Sequence, residues 1–282
     1  MTPTGTTPTG TTMTGAMFTY DFMQNALAAS CIVAVLCGLV GYFLVLRGQS
    51  FAGHALSHVG FAGATGAALI GVSPLWGMVA LTLAAGVGMG LLGERLAQRD
   101  VAIGIVLAMS LGLGLLFLNF FTGYAAQATA LLFGNVLAVD AGTIWSLLLL
   151  GIAAIVALAC IARPLLFATL QPELAEAKGV SLRLVSVLFL GIVALAVAEC
   201  AQIVGVLLVF ALLVGPTAAA QQITTRVWHG IALSVALALG EAWLGLALAY
   251  ATDWPTSFWI TALSGGVYLA AVLTRGLLLS PK

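Results

Sequence analysis

FMQNALAASCIVAVLCGLVGYFLVL, residues 22–46, carries no charged side chain from Phe22 to Leu46. About 20 apolar residues are enough to cross the ~30 Å hydrocarbon core of a bilayer as a helix. Further apolar runs follow at about 52–71, 75–93, 101–121, 142–163, 183–198, 203–222, 228–250 and 256–274. That makes nine candidate spans. The second, sixth and seventh are short, rich in Gly or Ala, or joined by few residues, so eight to nine transmembrane helices are expected. In lipid only helices and closed barrels satisfy every backbone N–H and C=O. Continuous runs, rather than alternating segments of about ten residues, select helices. The expected fold class is all-α, a polytopic integral membrane helical bundle.

Composition agrees: of 282 residues, 62% are hydrophobic and 6% charged, against roughly 25% charged in a water-soluble domain. So few polar side chains cannot cover a globule, and a water-soluble fold is excluded. No basic patch suggests a nucleic-acid partner. Cys31, Cys37, Cys160 and Cys200 lie in or beside apolar runs without C-x-x-C spacing. They read as small lipophilic packers rather than a disulfide framework or zinc knuckle. Residues 1–20 open with MTPTGTTPTGTTMTGAM, an uncharged Thr/Gly/Pro repeat. It is expected to be a disordered tail ahead of one transmembrane domain over 21–282. It lacks the basic n-region of a signal peptide.

Lys and Arg are retained in cytoplasmic loops, so they report orientation. If the nine spans alternate with the N-terminus outside and the C-terminus inside, Arg47, Arg95, Arg99, Arg163, Lys178, Arg183, Arg226, Arg275 and Lys282 all fall inside. Asp21, Asp140, Glu199 and Asp253 then face outside with no basic residue among them. Four acids on the side from which a cation arrives suggest an outer funnel; helix termination at the interface is the other reading of each. The longest charged loop, Arg163 to Arg183, lies inside and is a docking candidate over 164–183. Pro164 and Pro172 are expected to break it. Pro172, Glu173 and Glu176 open a short amphipathic helix that Gly179 stops. Leu174 and Ala177 would share a face beside the two glutamates. A simple connector between two spans is the plainer reading.

No G-x-x-x-x-G-K-[ST] pattern is present, so the chain does not hold ATP by that route. Within FAGHALSHVGFAGATGAALIG, His54 and His58 stand four apart and project from one helix face about one turn apart. Two neutral imidazoles at that spacing can share zinc, and suit manganese or iron as well, but two ligands are an incomplete set. Other helices or a second copy must complete it; structural hydrogen bonds to neighbouring helices are the alternative. Gly60/Ala64 and Gly63/Ala67 place small residues where helices can approach closely, inside the bundle. Glu241 lies deep in a span, where an unpaired charge costs several kcal/mol, so it serves the transport path or bonds a neighbouring span. Glu199 and Cys200, read at the outer turn between the sixth and seventh spans, either greet a soft cation or end a helix. His229 opens the eighth span beside Arg226 and fits a helix-end role.

In sequence order, LRGQSFAGHALSHVGFAG, AIGIVLAMSLGLGLLF, ALLFGNVLAVD, QPELAEAKGVSLR, VGVLLVFALLVGPTAAA and YATDWPTSFWI resemble the permease subunits of bacterial zinc, manganese and iron ABC importers. The resemblance covers nearly all of the chain after its tail. It implies a type II-like permease that forms a homodimer in the cytoplasmic membrane. Two cytoplasmic ATPase subunits would dock on the segment holding Glu173, Glu176, Ala177 and Gly179, and an extracytoplasmic metal-binding protein would deliver the ion. Gly215 and Pro216 fall in its packing and helix-break run. His58 matches the histidine of the segment, whereas His54 stands where the pattern carries Asp; nitrogen in place of hard oxygen leans towards zinc. No intrinsic cofactor is implied, the divalent metal being cargo.

Three rivals remain. An ion-coupled secondary transporter would relay protons through Glu241 and the His pair, but needs inverted repeats that the two halves do not display. A vitamin B12 or siderophore permease shares the architecture but is usually longer and lacks the His pair. An intramembrane enzyme lacks any Ser/His/Asp, H-E-x-x-H or paired-aspartate arrangement to build on.

Overall fold

The computed structural model describes residues 20–92, 96–121, 131–134 and 136–279. Nine long helices and one short one make up nearly all of them. They are α1 Asp21–Leu46, α2 Ser50–Leu69, α3 Pro74–Leu92, α4 Leu96–Leu118, α5 Ala141–Leu170, α6 Pro172–Ala177, α7 Leu182–Val204, α8 Val209–Ile223, α9 Val227–Thr252 and α10 Thr256–Leu279. Each expected span overlaps one of the nine long helices, the seventh, expected from 203, starting only at Val209 because α7 runs on to Val204, and no strand occurs among the described residues. Six of them, α1, α3, α5, α7, α9 and α10, are long and apolar enough to cross a membrane. The Thr/Gly/Pro tail before Tyr20, Arg95 and Lys282 lie outside the described residues.

α1 is the central post, flanked by α5, α7, α8 and α9. Lipid tails offer no hydrophobic incentive for helices to associate, so close backbone approach through small residues takes over. A Cβ at Gly38 would stand 2.6 Å from Val235 Cα of α9, and one at Gly41 would strike the Leu213 carbonyl of α8. Ser234 donates to the Gly38 carbonyl at 2.9 Å and shares a 2.7 Å hydrogen bond with Thr217, joining α1, α8 and α9. Gly63 of α2 and Gly77 of α3 press together, and a Cβ at Gly86 of α3 would lie 2.7 Å from the Leu190 carbonyl of α7. Gly60 meets only Thr82 Cγ2 at 3.4 Å and Met78 Cγ at 4.0 Å, ordinary contacts. Gly215 admits Ser264 of α10.

Two prolines expected to break helices do not. Pro164 lies within α5, which runs on to Leu170, and Pro216 lies within α8. A proline removes one N–H and bends a helix locally, and packing on both sides of it can carry the helix through. The docking segment therefore starts later than 164: residues 164–170 are helix, and α6 begins at Pro172 in its favoured first-turn position. The break after α7 sits at Gly205 instead. Gly205 has φ +89°, and across from it Gly134 has φ +73°. Their backbones touch, Val206 N–H donates to the Leu131 carbonyl at 3.3 Å, and Leu207 N–H donates to the Leu132 carbonyl at 3.2 Å. Left-handed backbone in direct contact with other backbone admits only glycine at both places.

Because successive helices run antiparallel, Arg47, Lys178, Arg183 and Arg226 share one end of the bundle and Asp21, Asp140 and Asp253 the other. At the basic end Arg47 donates to Gln49 Oε1 at 3.3 Å, Thr169 Oγ1 at 3.1 Å and Ser186 Oγ at 2.9 Å, tying α1 to α5 and α7. Arg275 donates to Gln222 Oε1 at 2.6 Å, closing α10 onto α8 at the same end.

Gly38→Val is expected to wedge α1 from α9 and destabilise the protein by about 1–3 kcal/mol, the usual cost of overpacking. Gly104→Ala, where nothing lies within 4 Å of the added carbon, should leave thermal unfolding in detergent unchanged or raise it slightly.

Candidate functional site

α2 holds both histidines because its Gly and Ala residues let α3, α4, α7 and α8 close around it. The imidazoles of His54 and His58 lie 4.9 Å apart between ring centroids and stand edge to face at 87°. His58 is 8% exposed, and His54 is half-buried. Nδ1 of each is buried and finds no hydrogen-bond partner among the described residues. Structural hydrogen bonding from these two nitrogens, the alternative open at the level of sequence, thus has no acceptor or donor to support it. Unpaired polar atoms inside an apolar bundle are costly. No group of three His, Cys, Asp or Glu side chains converges among the described residues, so the pair stands without a third such side chain beside it there.

The two buried carboxylates lie apart from this pair. Glu241 of α9 is 3% exposed, and neither oxygen has a hydrogen-bond partner among the described residues. It neighbours Ser264 of α10, whose hydroxyl donates instead to the Ala211 carbonyl at 2.9 Å. Glu199 departs from its expected place at an outer turn. The alanine-rich end of α7 stays helical until Gly205, which puts Glu199 inside the helix, 0% exposed and with both oxygens unpartnered among the described residues. A Cβ at Gly151 of α5 would lie 3.3 Å from Glu199 Oε2. Cys200 beside it is fully buried against Cys37 of α1, so neither residue lies at an outer turn and neither ends a helix. His229 is exposed in the first turn of α9, as a helix-end residue would be.

Of the acids expected to form an outer funnel, Asp21, Asp140 and Asp253 are exposed at one end. Asp140 is committed locally as the N-cap of α5, accepting from Thr143 N–H at 3.0 Å. The hydrogen bonds from Thr143 hold its carboxyl below the ordinary carboxylate value. At the opposite end, Glu173, Glu176 and Ala177 of α6 are exposed, as is Leu174, while Ala175 turns inward. Gly179 ends the segment at φ +84°.

Two neighbours of the His pair are absent from the sequence reading. Phe51 lies 6.4 Å from His54 between ring centroids, and Phe210 of α8 lies 5.5 Å away at 77°. Phe51 is detectable in principle, three residues before His54 on one helix. Phe210 comes from a distant helix, and no local pattern announces it.

Comparison with known proteins returns a consistent picture. The profile of the ABC 3 transport family matches residues 19–275. The chain is 32% identical over 211 residues to the manganese transport system membrane protein MntC of Halalkalibacterium halodurans, covering 74% of this chain and 72% of that one. It is 30% identical over 256 residues to the manganese import system permease protein ScaB of Streptococcus gordonii, covering 89% and 91%. Among solved structures it superposes on PsaBC from Streptococcus pneumoniae in complex with Fab with a TM-score of 0.80 at 25% identity, covering 93% of this chain and 94% of that one.

Asp140→Ala should lower the melting temperature at neutral pH, and Asp140→Asn, which keeps an acceptor oxygen but loses the charge, should lower it less. A carboxyl held low in the folded state stabilises above its unfolded value, near ~3.9, and loses that stabilisation as pH falls through the folded value. The gap between wild type and Asp140→Ala should therefore close in melting curves taken below about pH 4.

Proposed function

This chain belongs to the ABC 3 transport family, and from that premise we propose that it is the membrane-spanning permease subunit of an ATP-driven importer of a divalent transition metal, zinc before manganese or iron. The observation that carries the reading is the His54–His58 pair, two imidazoles one helical turn apart inside the bundle with buried Nδ1 atoms unpartnered among the described residues. Two nitrogens with no carboxylate beside them favour a borderline ion such as zinc over a hard one. The relatives' names, which speak of manganese, are the reason manganese stays as the alternative.

Half a ligand set is an argument for a second copy: in a homodimer two such pairs supply four nitrogens, the number a tetrahedral zinc takes. The chain has no phosphate-binding loop, so energy enters from a separate ATPase. The α6 segment, with Glu173, Glu176, Leu174 and Ala177 exposed and Gly179 closing it, is shaped to seat in a groove of such a partner. The excess of Lys and Arg at that end makes it the cytoplasmic one by the positive-inside rule, which leaves the N-terminus outside and the C-terminus inside a bacterial cytoplasmic membrane. The opposite end, with Asp21, Asp140 and Asp253, then receives the ion from an extracytoplasmic metal-binding protein. ATP binding and hydrolysis by the partner swing the two copies between outward and inward access to the His pairs.

Glu199 and Glu241, buried without hydrogen-bond partners among the described residues, favour one competitor, an ion-coupled carrier in which they relay protons. Vesicle transport separates the two. With the ATPase subunits present, zinc uptake should require ATP, and His58→Ala should cut it by at least the ~10–100-fold that loss of even an outer-shell partner costs a metal site. Glu176→Ala should leave ATP hydrolysis running while uptake falls. Uptake driven by a proton gradient with no ATPase present would overturn the proposal.

A further inference from the structure

α5 and α9 both pack along α1 but barely touch each other. Between them runs a groove of about 320 Å³ with α1 at its back. Leu39 and Phe43 of α1, Ile155 and Ala159 of α5 and Ile231 of α9 are among the apolar side chains that line it. Two lining side chains are of another kind, Arg163 of α5 and Trp228 of α9. Arg163 is exposed, and its guanidinium makes no hydrogen bond or ion pair among the described residues. Trp228 is 72% exposed, and its indole N–H is likewise unpartnered there. No carboxylate lines the groove among the described residues.

Position along the helices gives the depth of each group. α5 has 30 residues and is about 45 Å long, more than the ~30 Å of bilayer hydrocarbon, so its ends stand among headgroups. Arg163 precedes the end of α5 at Leu170 by about 10 Å. A guanidinium there reaches headgroup level by extending its stem. Trp228 is the second residue of α9, at the interfacial depth where Trp is enriched. From Ile155 to Arg163 the apolar wall of α5 runs about 12 Å, close to half of the ~30 Å hydrocarbon core. The groove is thus about one leaflet deep, apolar within and cationic at its mouth.

We propose that this groove is a binding site for one anionic phospholipid of the cytoplasmic leaflet, with an acyl chain lying against α1 between α5 and α9 and the phosphate held by Arg163 and Trp228. The leaflet follows from the reading of the basic end as cytoplasmic. Guanidinium and phosphate match in charge and in paired donor and acceptor geometry, and basic pockets between helices on the cytoplasmic side suit anionic headgroups. A second copy of the chain, or another membrane helix, would have to carry a carboxylate to that depth, where it is costly; a phospholipid has its phosphate there already. α5 leads directly into α6, so a lipid seated here braces against α9 the helix that carries the exposed segment.

Native mass spectrometry tests the site. The full-length permease with its ATPase subunits is delipidated in detergent and offered phosphatidylglycerol, phosphatidylcholine with the same chains, or inorganic phosphate alone. Wild type should retain one phosphatidylglycerol per permease chain in preference to phosphatidylcholine, and no free phosphate. Arg163→Gln should weaken phosphatidylglycerol about fivefold, the worth of one basic residue at an anionic membrane surface, and leave phosphatidylcholine unchanged. Ala159→Trp, which fills the groove from an exposed position, should lose both lipids; Ala159→Leu carries this arm if the tryptophan variant fails to fold. Phosphatidylglycerol should raise the melting temperature of wild type and not that of Arg163→Gln. Retention indifferent to both substitutions, free phosphate held as well as the lipid, or no lipid retained because a second copy covers the groove would each overturn the proposal. None of these results bears on ATP-driven uptake, so the site and the transport reading fail separately.

Discussion

Backbone polar groups in an apolar bundle must be paired by protein, because lipid pairs none of them. At Gly205 this requirement and a helix break meet, and the meeting point organises the molecule. The carbonyls of Leu131 and Leu132 supply the missing partners for the N–H groups of Val206 and Leu207. Two glycines with positive φ allow the backbones to touch. With the break there, α8 begins level with His54 rather than above it, and Phe210 rather than lipid or solvent borders the imidazole. An alanine at either glycine would meet both strain and collision.

The same economy of side chains runs through the packing. α1 carries Gly38 and Gly41 where α9 and α8 cross it, and the Thr217–Ser234–Gly38 hydrogen bonds fix the three helices in register. Such short polar links inside membranes are worth about 0.6 kcal/mol each on average, so geometry rather than bond strength is what they chiefly contribute. Against this tidy background the buried polar atoms without partners among the described residues stand out: one nitrogen on each of His54 and His58, and the carboxyl oxygens of Glu199 and Glu241. The histidines are adjacent and the glutamates are isolated from them.

Much of the fold was legible in the sequence, because apolar run length is a direct consequence of bilayer thickness. The i, i+4 spacing of His54 and His58 gave their shared face, and Pro172 and Gly179 marked the start and stop of α6 through the backbone preferences of those two residues. What misled was local punctuation. Pro164 and Pro216 read as breaks, yet α5 and α8 continue through them. Glu199 read as a turn residue because charge is rare in spans, yet the Ala-rich stretch around it stays helical until a glycine that has φ +89°. The Phe210–His54 contact and the Gly134–Gly205 clasp were invisible because each joins segments far apart in the chain, and one sequence holds no record of which helices meet.

X-ray absorption at the zinc edge, taken on the metal-loaded permease in membranes, addresses the His pair most directly. Nitrogen ligands at about 2.0–2.1 Å with the outer-shell scattering of imidazole are expected, and both should vanish when His54 and His58 are replaced together by alanine. A first shell of oxygen or sulfur alone, or a spectrum indifferent to the loss of both histidines, would contradict a metal path through this pair.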